Sequence, residues 1–579
     1  MSLVIHYEKG KLIKAERLYE RTAPSPLYAA KDGKTFIMGE IFGASYEDVS
    51  NSNWRENPDV LNDFEGALSV VYADDEGCAF ASDINGIEAW YTYHKDDTFV
   101  LSDNFWDIVK IVQPTYEDID EEQARLSLVM LSITGETLIK NLKTVFPSSI
   151  GNFSAATNQL EVRKYREFKY TNEISDVDAA VEHMDSILDN AMRYIRQTCG
   201  DVKYGIGVSG GLDSRVIPHY AKKHGMDIVG FNICVPKPHG VFLARSCKNA
   251  KQIADAFQIP YHNTRWNPTT VEQKIQTYVQ YYPLGSGRNS FKYEQQIPEF
   301  DVLLTGASGL VVGSMLPVGI NGFSREELIA EMSAMFNKDE NCRTFISRAA
   351  RGLNYIFGTK FHSISKSAIC KLVSPDDIQT AQSGIADFID SGLKNGQTNI
   401  EIYEDFFTNV MGFRNRYGAY ESIFGTKRSF SIYVPFMMKE VLKWTPELLF
   451  NRIVLDTLIV QKVSEVKDIK SELFAPAPDK KTTLLNKFAN MVEFLVRGNG
   501  AAVDDYWMKK GSVKKKLALR LDNGCTWFEK IFSTDSKTLK SVVLKSGESE
   551  LMIDTWELKA LVDCLETKEY MNFNFSEEK

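Results

Sequence analysis

At 579 residues the chain is too long for one hydrophobic core and predicts two or three domains. Its 44% hydrophobic and 25% charged content is that of a soluble globular protein. The net charge of −10 argues against a nucleic-acid partner, which usually demands a basic excess. Eight cysteines without a Cys-x-x-Cys pair, eight histidines and no His-Glu-x-x-His motif exclude the common zinc sites. Sparse, unpaired cysteines, an N-terminus without a signal-peptide core and the lack of an 18-residue apolar run predict a cytoplasmic protein that does not span a membrane.

Residues 1–165 read as short strands and turns. Strands are predicted over 34–43, 66–73, 77–83, 90–94 and 98–103, with helices near 44–63 and 120–132. At about residue 175 the pattern changes. Ser175 with Asp178 resembles a capping box, and an apolar stripe from Val177 to Ile195 follows at helical spacing. A strand at 203–208 leads to a helix from about 214. A strand at 227–234, a helix at about 242–257 and a strand at 301–306 come next, an alternation that indicates a parallel sheet with crossover helices. From 320 to 475 the pattern is mainly helical, 471–481 reads as a linker, and 482–579 forms a mainly helical extension. The basic run Lys509 to Lys516 within it reads as a solvated face.

Chemistry concentrates between the first strand and first helix of the α/β segment, in Tyr204-Gly-Ile-Gly-Val-Ser209-Gly210-Gly211-Leu-Asp213-Ser214-Arg215. Glycines let backbone N–H groups approach a phosphate, and the helix N-terminus adds a dipole that favours an anion. Ser209 and Ser214 offer hydroxyl donors, and Asp213 is suited to hold magnesium. Two shorter patterns overlap the loop. Gly205-x-Gly207-x-x-Gly210 is a dinucleotide fingerprint that lacks an acid at the end of the second strand. Gly207-x-Ser209-x-Gly211 is a hydrolase elbow whose partners would be residues such as Asp301 and His362.

Ser209-Gly-Gly-Leu-Asp-Ser214 resembles the pyrophosphate loop of N-type ATP pyrophosphatases, and the flanking segments narrow the likeness to the asparagine synthetase family over roughly residues 30–475. Gly39-Glu40-Ile41-Phe42, Phe64-Glu65-Gly66-Ala67, the Asp83 to Gly86 turn and Leu101-Ser102-Asp103 resemble its glutaminase-like domain. Val229-Gly230-Phe231-Asn232, Leu303-Leu304-Thr305-Gly306 and Val434-Pro435-Phe436 resemble its synthetase domain, with Arg414 to Tyr417 at a plausible distance before the last.

The resemblance implies three parts: an N-terminal nucleophile-hydrolase-like αββα sandwich over 1–165, a parallel-sheet ATP pyrophosphatase domain over 175–475, and the helical extension. It implies ATP and Mg2+ as cofactors, with ATP contacts at Ser209, Gly210, Gly211, Asp213, Ser214, Val229, Phe231, Asn232 and Gly306. Asp213 is the implied metal ligand, and Lys470, with Lys462 and Lys467 as alternatives, is the implied catalytic cation. The reaction is adenylation of a small carboxylate and its transfer to ammonia or an amine. A homodimer and a separate glutaminase are both compatible with the family pattern. This sequence departs from that pattern in several places. It begins Met1-Ser2-Leu3 where the glutaminase has a cysteine after Met. Met38 replaces the oxyanion-stabilising Asn. No acid lies in Gly306 to Val311, and Met437-Met438 follow Pro435-Phe436 in place of the family's Leu-Asp. A nucleotide-binding protein without the chemistry is the rival reading.

Overall fold

The computed structural model describes residues 3–17, 27–86, 90–128, 135–234, 241–265, 279, 298–306, 319–336, 373–406, 431–433, 435–436, 439–470, 511–522, 526–534, 536–546 and 549–573. Along β1 (Leu3–Glu8), side chains alternate between two apolar environments rather than between core and water. Leu3, Ile5 and Tyr7 cluster with Phe36, Met38 and Phe153, while Val4 packs with Tyr93, Phe105 and Trp106. That alternation requires a layer on each side of the strand, and both layers are present.

β1 pairs with β2 (Lys11–Arg17) and β8 (Thr98–Ser102), and β7 (Tyr91–Lys95) and β9 (Leu142–Thr144) complete an antiparallel sheet of order β2-β1-β8-β7-β9. The second sheet holds β3 (Leu27–Ala29), β4 (Thr35–Phe42), β5 (Glu65–Asp74), β6 (Gly77–Ser82), β10 (Ser149–Ser154) and β11 (Gln159–Lys164), in the order β11-β10-β6-β5-β4-β3. Along β4, Phe36 and Met38 point to the inter-sheet core while Ile37 packs outward on Val49, Trp54 and Leu61. α1 (Tyr46–Asn51) lies on that outer face, α2 (Phe105–Val112) lies against β7 and β8 of the first sheet, and α3 (Glu121–Leu126) packs on the helices Pro375–Lys394 and Thr526–Ile531. The result is the αββα layering that the resemblance implies.

Three local expectations need correction. The helix predicted near 44–63 is α1 plus a 3-10 turn at Pro58–Asp63, because Asn51, Asn53 and the Asn57-Pro58 pair interrupt it. α2 stands where the sequence reading placed no element: at eight residues, Phe105–Val112, it is too short for helical periodicity to stand out. The helix near 120–132 is α3, which ends at Leu126; residues 129–134 lie outside the described set.

α4 (Val177–Cys199) opens the second half. Its cap is Asp176, whose carboxylate accepts the Ala179 N–H at 2.9 Å, rather than Ser175, since Asp176 reaches the third helical amide with the same spacing. The third sheet contains β12 (Lys203–Gly207), β13 (Asp227–Cys234), β14 (Tyr261–Arg265), β15 (Val302–Leu304) and β16 (Ser431–Tyr433). All pair in parallel, in the order β14-β13-β12-β15-β16. α5 (Asp213–Lys223) and α6 (Val241–Ala256) are the first two crossovers. The described part of the C-terminal extension is helical over Gly511–Asp522, Thr526–Ile531, Ser536–Ser546 and Ser549–Thr567. The linker expected at 471–481 lies outside the described residues.

Buried polar contacts join the parts. Lys439, 3% exposed, pairs with the fully buried Asp83 at 2.9 Å and donates to the Phe64 carbonyl at 2.5 Å. Arg125 on α3 forms two bonds to Asp377, at 2.8 and 2.9 Å, and donates a third to the Ile531 carbonyl. The Trp106 ring stacks on Tyr570. Cys78, Cys199 and Cys564 are free thiols, whereas Cys247 is disulfide-bonded, which corrects the expectation of unpaired cysteines. Spacing along a sequence does not report proximity in space.

Candidate nucleotide site

β12 is first in sequence among the parallel strands and central in space. The chain passes from it to β13 on one side, and later to β15 on the other. Such a reversal leaves a crevice beyond the carboxyl ends of the two diverging strands, where α/β sheets bind ligands. Ser209 follows β12 there and Gly306 follows β15. A Cβ at Gly306 would lie 2.9 Å from the Ser214 nitrogen and 3.0 Å from its Cα, so the approach of the β15 end to α5 requires glycine.

Within the loop the two serines hold one another. The Ser209 and Ser214 hydroxyl oxygens are 2.9 Å apart. Ser214 Oγ accepts the Ser209 N–H at 2.9 Å, and Ser209 Oγ accepts the Gly211 N–H at 3.0 Å. These bonds fold the loop into a compact turn at the N-terminus of α5. Leu212 supplies no side-chain cap there. The helix end therefore keeps its affinity for negative charge, and Asp213 stands in its first turn.

Arg215 is fully buried. Its Nε donates to the Gly211 carbonyl at 3.0 Å and its Nη2 to the Gly210 carbonyl at 2.8 Å. On its other side Nη1 donates to the Ile469 carbonyl at 2.7 Å and Nη2 to the Lys470 carbonyl at 3.1 Å. Asn249 on α6 donates to the same Lys470 carbonyl at 2.7 Å. An uncompensated buried charge costs several kcal/mol, and these carbonyl dipoles offset part of that cost. The main chain of Lys470 is thereby tethered to the loop, and its side chain is exposed. Lys462 instead pairs with Glu182 on α4, at 2.5 Å.

The β13 residues are placed unequally. Phe231 and Asn232 lie at the carboxyl end, where the Phe231 carbonyl accepts the Val208 N–H at 2.8 Å and the Phe231 ring stacks on Phe300. Val229 is buried two residues deeper, opposite Gly205. Asp301 binds the Lys203 N–H at 3.0 Å, at the amino end of β12 and so at the opposite end of the sheet from Ser209. It cannot serve a hydrolase elbow there. His362, the loop after Gly306, Val434, Met437, Met438, residues 414–417 and most of 281–300 lie outside the described residues. Sequence reasoning gave no role to Arg215 or Asn249. The available signal was an arginine followed by the apolar run Val216-Ile217-Pro218 of the helix.

In the N-terminal half, the Met38 side chain fills the inter-sheet core. Leu3 is fully buried, and its N–H donates to Asp103 at 2.8 Å. Gly39 has a φ of +110° against the Ala67 carbonyl.

These features define a mixed α/β protein in which antiparallel αββα layers precede a parallel sheet with a phosphate-type loop at its switch point. Residues 183–308, which contain α5, β13 and β15, match the family model of asparagine synthase. The match covers that segment alone, and the likeness to asparagine synthase is a likeness of the parallel-sheet part of the chain. No curated protein matches the chain.

Three solved structures share limited similarity with it. The allosteric regulatory enzyme of purine biosynthesis is 10% identical over 54% of this chain and 60% of its own, with a TM-score of 0.16, so the chain spans about three fifths of that enzyme's length. A U34-tRNA thiolase from Methanococcus maripaludis is 12% identical over 41% of this chain and 79% of its own, with a TM-score of 0.17. A glutamine phosphoribosylpyrophosphate amidotransferase from B. subtilis, complexed with ADP and GMP, is 10% identical over 58% and 72%, with a TM-score of 0.16.

Proposed function

We propose that this chain is an AMP- and pyrophosphate-forming amide ligase. The observation that carries the reading is the Ser209–Ser214 loop at the sheet's switch point, with the main chain of Lys470 hydrogen-bonded to it through Arg215. Ser209, Gly210, Gly211 and Ser214 cradle the β- and γ-phosphates, with the Ser209 hydroxyl turning from Gly211 to the nucleotide. Phe231 and Asn232, with Val229 behind them, border the adenine. A substrate carboxylate attacks the α-phosphorus, the bond to the bridging oxygen breaks, and pyrophosphate leaves. Ammonia or an amine then attacks the acyl carbon and AMP departs. Lys470, on its tethered segment, offers a cation to the tetrahedral oxyanion.

Asp213, in the first turn of the helix that follows the loop, would hold magnesium as one ligand shared with the nucleotide's own phosphates. Bound there, the ion would neutralise phosphate charge. The packed Met38 and buried Leu3 support an N-terminal half without glutaminase chemistry. The nitrogen is then free ammonia, ammonia from a separate glutaminase, or an amine on a second substrate.

The test is incubation of the purified protein with Mg-ATP, a carboxylate panel and ammonia or amines. Pyrophosphate and AMP that Asp213→Ala loses by at least about 100-fold would support the ligase, the size expected for removal of a group that stabilises a developing charge. The acid-free sequence from Gly306 to Val311 favours a second reading, a nucleotide-binding protein without chemistry. ATP binding by calorimetry with no pyrophosphate from any carboxylate would select it.

A further inference from the structure

We propose that Arg215 is a positioning residue that locks the phosphate loop to the segment carrying Lys470, so that the two order and loosen as one unit. The role attached to that unit rests on the ligase reading; the lock itself rests on geometry alone.

Four of the five N–H donors of the guanidinium are accounted for, two on each side of the join. Gly210 and Gly211 belong to the loop that would hold pyrophosphate. Ile469 and Lys470 are about 255 residues further along the chain. They follow the 3-10 turn Ser464–Val466, whose Val466 side chain is fully buried. A planar fork aimed at carbonyls in two directions is a geometry that a lysine ammonium on a flexible stem does not reproduce. The side chain is fully buried, so the four bonds do not exchange readily with water. Asn249 donates to the Lys470 carbonyl from a third element, α6, and closes the far side of the join. A cation on the Lys470 side chain that must meet an acyl group at the α-phosphate needs such registration, because small displacements at a reacting centre cost large factors in rate.

The test uses the full-length protein, first without nucleotide. Native-state amide exchange is compared for wild type, Arg215→Gln, Arg215→Lys and Asn249→Ala. Arg215→Gln is expected to raise exchange about tenfold or more in both 209–214 and 464–470 while the amides of 203–207 keep wild-type protection. Arg215→Lys should loosen both segments as well, and Asn249→Ala should loosen 464–470 more than the loop. Loosening by either Arg215 variant that is confined to one segment, or spread evenly over the sheet, would overturn the lock. Should Arg215→Gln fail to fold, Arg215→Lys and Asn249→Ala still decide.

The second arm measures pyrophosphate release. Arg215→Lys should lower kcat at least about tenfold with little change in the KM for ATP, whereas a purely structural defect would move both together. If wild type binds ATP yet releases no pyrophosphate, the ligase reading fails, and the exchange arm still tests the lock.

Discussion

The two halves of this chain treat their chemical positions in opposite ways. In the N-terminal half two antiparallel sheets pack face to face, and the position expected to stabilise an oxyanion holds an apolar side chain in the core between them. Met38 interleaves with Phe36 and Phe153 between the sheets, and Leu3 is fully buried. In the second half the loop at Ser209 is held by its own hydroxyls at the mouth of a crevice, with a buried arginine behind it. The contacts of the first half with the rest of the chain give it a structural role. Asp83, on the N-terminal half, receives Lys439 from the second half, and Arg125 holds both Asp377 and the C-terminal helix Thr526–Ile531. The first half serves as the surface on which the others dock.

The largest expected effect tests that docking. Lys439 lies 2.9 Å from Asp83, whose other bonds fix the Leu68, Asn85 and Gly86 amides. Lys439→Met leaves a buried carboxylate without its cation and should lower unfolding stability by about 3–5 kcal/mol in urea titration. Adding Asp83→Asn should recover part of that loss. A single mutant as stable as wild type would mean that the halves do not depend on the pair.

A smaller effect tests the filled site. Met38→Asn, with or without Ser2→Cys, should cost about 3 kcal/mol, because an amide replaces apolar volume in the inter-sheet core. No glutamate should be released from glutamine. Glutamate release by the double variant would show that the site is only lightly disabled, and would break the contrast between the halves.

Legibility in the sequence follows the same division. Glycine and serine spacing located the Ser209 loop, since backbone approach to a phosphate demands those residues locally. β13 was legible over its full span, Asp227–Cys234, because a strand buried on both faces reads as a continuous apolar run bounded by turns. β1 and β2 were missed: His6 and Glu8 in β1, and Lys11, Lys14, Glu16 and Arg17 in β2, mix polar residues into the two strands, and the other neighbour of β1, β8, lies 90 or more residues away. Arg215 was visible as a residue, but its partners at 469 and 470 are long-range, and no local pattern names a carbonyl as an acceptor. The docking role of Lys439 was hidden for the same reason.

The third effect concerns the seam itself. The segment over 399–406 receives the strand-to-helix connection through Glu401, which accepts the Tyr170 N–H at 2.9 Å, and Asp405, which pairs with Lys164 at 2.5 Å. Between these acids Glu404 is buried, and burial pushes its carboxyl up to about 8. Below about pH 4.5 both folded and unfolded states hold this proton. Between 4.5 and 8 the unfolded chain releases it while the folded chain keeps it, so stability falls as pH rises through that window. Glu404→Gln should therefore stabilise by about 3 kcal/mol at pH 7 and by nothing measurable at pH 4. Equal stabilisation at both pH values would assign the effect to packing instead of ionisation.

The smallest effect separates fork geometry from charge at the outer seam. Arg125 is 20% exposed in its side chain, so solvent screens it more than Lys439. Arg125→Lys keeps the cation beside Asp377 but gives up the paired bonds and the Ile531 carbonyl, for an expected loss of about 1 kcal/mol. The local readout is sharper than the global one. Arg125 links α3 to two other elements, so amide exchange should rise in Thr526–Ile531 while β5 and β6 keep wild-type protection. The helix Pro375–Lys394 should change less, since Asp377 also accepts the Ser374 N–H at 2.9 Å and retains its capping role. A loss as large as that of Lys439→Met would place the main seam at α3 and reverse the ranking of the two contacts. No change in the C-terminal helix would show that the stack of Trp106 on Tyr570 holds the extension without Arg125.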